Sequence, residues 1–260
     1  MPDSTHRQPG QLIGVGVGPG DPAMLTLAAL DAIRNADLVI SPCSAPDIEG
    51  RAESIVRKVM PQIRYQRLIF EMATGESGIQ ARKRTAQNAA KELLAPLSRG
   101  QNIVFITLGD PNVFSTFALV ANQIRALDPK IVITTVPGIM AFQQVASESQ
   151  VELLNETEKL FLITANETLD DLSDALDHPE AAIVIYKGGR HIGDIKEQLA
   201  KADRLSGAMV GELLGLDGER VIELDQIEES SIAYLATVIV PPVRNIPFTG
   251  YSKIKKESLQ

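Results

Sequence analysis

The residues best placed to do chemistry in this 260-residue chain are small ones. From Leu12 to Thr26 the sequence reads LIGVGVGPGDPAMLT, an apolar run that breaks into Gly18, Pro19, Gly20, Asp21 and Pro22 before a helical pattern begins. Gly14, Gly16 and Gly18 alternate, which removes side chains where another backbone or a ligand must come close, and the prolines stiffen the loop by fixing φ. A second stretch has the same logic: the apolar NIVFIT run ends in Gly109, Asp110 and Pro111, with Ser115 and Thr116 at the start of the next helical segment. A ligand held by such loops meets mainly backbone N–H and C=O groups plus apolar contact area. That suits a reaction whose reactant must be bent, shielded from water and aimed, with little demand for acids or bases. The same composition also fits a plain strand-to-helix turn that binds nothing. Asp21 and Asp110 are the obvious carboxylates. An Asp before a helix commonly caps it, worth about 1 kcal/mol, so Asp21 reads as a cap and Asp110 as the candidate for a catalytic role.

Other chemistries find little support. Cys43 is the single cysteine, so no intrachain disulfide and no Cys-rich metal site can form. His6, His178 and His191 are scattered and match no zinc spacing, and no metal is expected. A net charge of −8 offers no broad positive field for a phosphate backbone, and 4% aromatic residues with no Trp leave few rings for base stacking, so nucleic acid is not the expected partner. The first ten residues lack the apolar core of a signal peptide and no stretch approaches 18 apolar residues, which points to a cytoplasmic protein away from membranes.

The elements that must position these loops alternate. Ala23 to Ala36 places Leu25, Leu27, Ala28, Leu30 and Ile33 on one helical face. Asp37 to Ser41 reads as a buried strand ended by Pro42, Glu53 to Met60 as a helix, Ile63 to Phe70 as a strand, Glu71 to Gly78 as a turn and Gln80 to Leu97 as the longest helix. Asn102 to Thr107 and Lys130 to Val136 are further strands, and a domain junction is expected near Gly138, giving domains of residues 1–137 and 138–260. In the second half, Leu160 to Ala165, Ala181 to Tyr186, Gly207 to Leu213 and Ala233 to Val240 read as strands, with helices from Leu169 to Leu176 and Ile192 to Ala200, more antiparallel pairing toward the end and a solvated tail. Ligands of open α/β sheets sit beyond the carboxyl ends of strands, so the two Gly-Asp-Pro loops are expected to line one crevice.

The opening GVGVGPGDPAMLT resembles the N-terminal signature of the tetrapyrrole methylases, and TLGDPNVFSTF (107–117), VPGIMAF (136–142) and IYKGGR (185–190) agree with that family in order and spacing. The resemblance runs from about Gln11 to Pro242. It implies two α/β domains with the active site in the cleft between them, S-adenosyl-L-methionine as methyl donor, a small tetrapyrrole substrate and a homodimer. It carries Pro19, Leu108, Gly109, Asp110, Val113, Phe114, Met140, Ala141, Tyr186, Lys187 and Leu213 onto the donor site. Many members have Thr where Met140 stands and Met where Lys187 stands.

Lys187, the Ser115-Thr116-Phe117 run and the Phe70-Glu71-Met72 run resemble the branch that methylates the meso carbon-20 of precorrin-2, with or without cobalt, in cobalamin synthesis. Many members of that branch have Pro where Glu71 stands, and Lys187 also fits an exposed lysine at a strand end. The expected substrate is a polyanion and the chain is acidic, so a local basic lining is needed. Its candidates are Arg51, Arg64, Arg67, Arg82, Arg84, Lys187 and Arg190, joined by the hydroxyls of Ser115 and Thr116. The electron-rich meso carbon is itself the nucleophile, so no activated Ser, Cys or His is required. The alternatives are methylation at another carbon or at the uroporphyrinogen stage, a methylase of RNA or protein, and a dinucleotide-binding protein. The last would want G-x-G-x-x-G, a spacing that Pro19 and Pro22 interrupt.

Overall fold

A computed structural model describes residues 9–70, 75–165 and 168–244. The chain divides between Met140 and Ala141 into two compact α/β units. In the first, strands β1 (Gln11–Gly16), β2 (Leu38–Cys43), β3 (Tyr65–Ile69), β4 (Ile103–Thr107) and β5 (Val132–Val136) form one sheet in the order β3-β2-β4-β1-β5. Every pairing in it is parallel. The helices are α1 (Leu27–Arg34), α2 (Arg51–Val59), α3 (Gly75–Ser98) and α4 (Thr116–Leu127).

The apolar strand runs follow from burial on both faces. Along β4, Ile103 and Phe105 join Leu12, Leu93 and Phe117 in a core under α3 and α4, while Val104 and Ile106 join Val15, Ile33 and Ile55 in a second core under α1 and α2. Gly14 makes room for the first of these: a Cβ there would stand 2.5 Å from the Phe117 ring. Phe117 packs 5.8 Å from Phe105, which meets Phe70 edge-on at 6.4 Å. The chain leaves β1 toward β2 on one side and leaves β4 toward β5 on the other. The neighbours β1 and β4 therefore form the switch point, where open parallel sheets bind ligands.

The second unit holds α5 (Ala141–Ser149), α6 (Asp170–Leu176) and α7 (Ile192–Lys201) with strands β6 (Lys159–Thr164), β7 (Ala181–Tyr186), β8 (Met209–Glu212), β9 (Arg220–Glu223) and β10 (Thr237–Val240), in the sheet order β6-β7-β10-β8-β9. Only β6 and β7 pair in parallel, and the rest of the sheet is antiparallel as expected. Leu172, Ile195 and Leu199 pack on one face against Ile183, Ile185 and Val238, and Val145 of α5 packs on the other against Val184 and Ile239.

Three expectations are corrected. The helix after the opening loop does not start at Ala23: Pro22–Met24 is a 3-10 turn, and α1 begins only after Thr26, whose Oγ1 accepts from the Ala29 N–H at 3.1 Å. That start leaves Leu27 81% exposed, off the buried face that Ala29 and Ile33 supply. Pro42 does not end β2. The strand pairs with β4 only through Ile40, so Pro42 sits where an N–H on that side would have no ladder partner, opposite Leu68 of β3. The longest helix, α3, starts at Gly75 within the segment that reads as a turn.

A Leu27→Glu variant should unfold within about 0.5 kcal/mol of wild type, whereas Phe105→Ala should cost about 3–5 kcal/mol through the cavity left between Phe70 and Phe117. Urea denaturation midpoints of the two variants check both.

Candidate functional site

At the carboxyl ends of β1 and β4 the two Gly-rich loops are joined backbone to backbone. The Val17 N–H donates to the Thr107 carbonyl at 3.0 Å and the Gly109 N–H to the Gly18 carbonyl at 2.9 Å, closing an isolated bridge between the two glycines. Both have left-handed backbones, with φ of 82° at Gly18 and 67° at Gly109. The loop after β5 reaches the same point: a Cβ on Gly138 would lie 2.1 Å from the Gly109 carbonyl oxygen, and one on Gly16 would lie 2.4 Å from that oxygen and 2.6 Å from the Gly138 nitrogen. Three chain segments thus meet with no room for a side chain. Gly109 itself is open on its other face, with nothing within 4 Å of where its Cβ would stand.

Asp110 holds this junction together. One carboxylate oxygen accepts from the Asn112 N–H at 2.8 Å and the other from the Gly138 N–H at 3.0 Å. Asp21 caps the 3-10 turn through the Ala23 N–H at 2.8 Å. Ser115 caps α4, accepting from the Phe117 N–H at 3.1 Å, and lies 3.0 Å from the Thr107 hydroxyl. Pro19 is buried, Leu108, Val113 and Thr116 are half-buried, and Phe114 is exposed on a left-handed backbone with φ 47°. Gly109 thus presents open backbone, Pro19 is buried next to its bridge partner Gly18, and Phe114 exposes its ring five residues further along the loop.

In the second unit, Tyr186 ends β7 and Glu212 ends β8. These strands flank β10, where Thr237 stands opposite both Tyr186 and Gly211, so Lys187 and Leu213 leave the same edge of the sheet. Both are left-handed non-glycine residues, with φ of 60° and 53°. The turn after Lys187 is fixed by its glycines: Gly188 N–H donates to the Ala236 carbonyl at 3.1 Å, and a Cβ on Gly189 would meet the Ala233 carbonyl oxygen at 2.0 Å. Burial pushes the Tyr186 phenol up to about 12, against a hydrogen bond at the Phe142 backbone. Met140 is half-buried, and Ala141 is the first residue of α5.

The candidate cations are less uniform. Arg67 is engaged within the fold: it donates to Glu53 at 2.8 and 2.9 Å and to the Pro46 carbonyl at 3.0 Å. The Glu53 side chain, only 1% exposed, also takes a bond from Arg57, which stacks over the Tyr65 ring at 5.1 Å. Arg190 stacks on Tyr234 at 4.8 Å. Arg51 opens α2, Arg82 lies half-buried on α3, and Arg64 and Arg84 are exposed with no acidic partner among the described residues. Glu71, Met72, His6 and the 252–260 tail lie outside the described residues. Among those described, no three His, Cys, Asp or Glu side chains could share a metal ion, and no helix is long and apolar enough to cross a membrane. Glu53 is the residue that sequence reasoning missed here. Its signal is a glutamate set in the buried stripe of Ala52, Ile55 and Val56.

A sequence model of the family described as Tetrapyrrole (Corrin/Porphyrin) Methylases matches residues 11–228, and the chain belongs to that family. Its enzymes use S-adenosyl-L-methionine as methyl donor. Among the chain's relatives is a cobalt-precorrin-2 C(20)-methyltransferase of Salmonella typhimurium, 27% identical over 234 residues that cover 89% of this chain and 96% of that protein. A precorrin-2 C(20)-methyltransferase of Sinorhizobium sp. is 26% identical over 244 residues, 92% of this chain and 98% of that protein. The cobalamin biosynthesis protein CobIJ of Mycobacterium tuberculosis is 25% identical over 240 residues, but the chain spans only 46% of that longer relative. Two solved structures share the fold. The cobalt precorrin-4 methyltransferase CbiF has a TM-score of 0.63 at 17% identity over 93% of this chain and 97% of that one. The methyltransferase CobJ has a TM-score of 0.63 at 16% identity over 91% and 97%.

The glycines separate folding from binding. Gly138→Ala forces a Cβ onto the Gly109 carbonyl and should cost about 1–3 kcal/mol or more as overpacking, read as a lower thermal midpoint. Gly109→Leu meets open space but takes a left-handed backbone at a cost of about 1–2 kcal/mol, so its far-ultraviolet spectrum should stay native with a lowered thermal midpoint, and, if Gly109 lines the donor site, calorimetry should show no donor binding.

The Glu53 network sets an acid limit. Burial pushes the Glu53 carboxyl up, but hydrogen bonds from Arg67 and Arg57 outweigh it and hold its pKa below the ordinary 4.5. The unfolded chain therefore binds that proton more readily. The network's contribution is complete above pH 4.5 and is lost as pH falls through the lower folded value. Denaturation midpoints of Glu53→Gln should be lower at neutral pH and fall less steeply on acidification than those of wild type.

Proposed function

We propose that this chain transfers the methyl group of S-adenosyl-L-methionine to the meso carbon-20 of precorrin-2, or of its cobalt form, in cobalamin synthesis. One observation carries the reading on the structural side. The carboxylate at the switch point, Asp110, accepts from a backbone N–H on each of its oxygens and so fastens the loops to one another. A site built this way orients reactants, which suits a substrate carbon that is already nucleophilic. The donor supplies an electrophilic methyl group. In the first unit Pro19, Leu108, Gly109, Asp110, Val113 and Phe114 hold it, and Met140, Ala141, Tyr186, Lys187 and Leu213 are its remaining contacts. The choice of carbon-20 is supported by the two relatives that carry that activity in their names and match this chain over nearly their whole length. The Ser115-Thr116-Phe117 run and Lys187 support the same choice. The active form is a homodimer, and light scattering should give twice the 28.1 kDa chain mass.

Incubation with labelled donor and precorrin-2, with and without cobalt, should give a single added methyl group at carbon-20 by NMR. Methylation at another carbon, or of uroporphyrinogen in its place, would overturn the assignment. Of the candidate cations, Arg190 follows β7 at the sheet end that Lys187 leaves, whereas Arg67 is held by Glu53 and Arg64 precedes β3, at the end of the first sheet opposite the Gly-Asp-Pro loops. Alanine variants at true contacts should raise the tetrapyrrole KM about 3- to 10-fold and reduce its salt dependence, leaving donor affinity unchanged.

A further inference from the structure

We infer that Gln144 is a positioning residue for the methyl donor: it fixes the turn that begins at Leu213 in the shape that receives it. The inference rests on the reading above, in which Leu213 touches the donor. Gln144 lies in α5 and is 3% exposed, yet its amide nitrogen donates to two carboxylates, Glu148 Oε1 at 2.7 Å and Glu219 Oε1 at 2.8 Å. Glu219 passes the connection on, because its second oxygen accepts from the Gly215 N–H at 3.1 Å. Inside the turn, the Leu216 N–H donates to the Leu213 carbonyl at 2.8 Å and the Glu219 N–H to the Leu216 carbonyl at 3.1 Å. The chain from helix to turn is therefore unbroken: α5 amide, Glu219 carboxylate, Gly215 backbone.

What the clamp holds is a strained backbone. Leu213 has φ 53°, and Gly215 and Gly218 follow at 73° and 84°. A left-handed leucine costs about 1–2 kcal/mol and persists only where its surroundings over-determine it. Two anchors do so on either side of it. Upstream, the Glu212 carboxylate is bound by Arg220 Nε at 2.5 Å and by the Ala233 N–H at 2.8 Å. Downstream, Leu214 is buried with Val145, the neighbour of Gln144 on α5. If the turn served only to connect β8 to β9, glycine at 213 would adopt the same φ without strain. A leucine held there by a buried amide indicates that its own placement matters. Lys187, left-handed at φ 60°, leaves the same edge of the sheet, which makes two strained residues at one ligand-facing end.

The test uses Gln144→Glu, Glu219→Gln and the double variant. Gln144→Glu puts a third carboxylate against Glu148 and Glu219. Glu219→Gln sets an amide N–H₂ against either the Gln144 amide or the Gly215 N–H. The double variant, made with Glu148→Gln so that no carboxylate is left against the one introduced at position 144, restores one donor and one acceptor across the contact. Each single variant should weaken S-adenosyl-L-methionine binding by calorimetry on the order of tenfold, the range of coupling between touching residues. The donor KM should rise in step, while kcat at saturating donor and the tetrapyrrole KM stay within about twofold. Amide exchange at Gly215 should quicken in both single variants without ligand, and the double variant should recover both affinity and protection. Wild-type affinity and exchange in the single variants would overturn the inference. So would a loss that the double variant fails to recover, or one shared equally by both substrates. A wild-type protein that binds no donor would instead overturn the reading of Leu213 as a contact.

Discussion

The first unit depends on a place where no side chain can be. Gly16, Gly109 and Gly138 come from three different strand ends, and a Cβ on Gly16 or Gly138 would lie within 2.7 Å of main-chain atoms of another segment. Backbone cannot yield as a flexible side chain does, so the constraint is absolute at those two positions. It fixes the loops after β1, β4 and β5 relative to one another without any large side chain. Asp110 then finishes the junction by capping Asn112 and Gly138. The result is a rigid, bare surface of main chain, which is what a ligand recognised by shape and backbone polarity requires.

That rigidity comes from the sheet beneath. Parallel strands buried on both faces hold β1 and β4 in register, with Gly14 opposite Phe105 and Gly16 opposite Thr107. The two cores lie on opposite faces, so the loops at the switch point inherit the stiffness of both. Against such a frame, strain can be held locally. Phe114 in the loop after β4 carries a left-handed backbone although it is not glycine, and in the second unit Lys187 and Leu213, directly after β7 and β8, do the same. Residues of this kind cluster where binding needs a fixed, unfavourable geometry.

Much of this was legible in the sequence because the signals were local. Apolar runs ended by glycine and proline gave the strands β1 and β4 and the loops after them, and the alternation of Gly14, Gly16 and Gly18 announced close approach. What stayed hidden depended on tertiary partners. Leu27 fits an apolar face by spacing, but the N-cap at Thr26 starts the helix too late for it to turn inward. Helix α5 reads AFQQVASES, only nine residues with two large apolar side chains, Phe142 and Val145, so its face is too short to announce itself although it packs into a core with Val184 and Ile239. Strand β9 has four residues and no pattern of its own, and is held by pairing with β8. Nothing local distinguishes Arg67 from Arg64, three residues away on the same basic run. Only the fold reveals that one meets a buried glutamate and the other does not.

On the function proposed above, that difference bears on how an acidic chain would hold a polycarboxylate substrate. With a net charge of −8 the overall field repels a polycarboxylate, so affinity must come from cations whose charge is not already balanced. Arg57, Arg67, Arg220 and Arg244 are each paired with glutamates, and Arg204 is buried against the Ala181 and Pro241 carbonyls. Their work is to fasten segments of the fold. The balance leaves few exposed arginines available, and a few suffice, because each forms a directed two-pronged bond with a carboxylate.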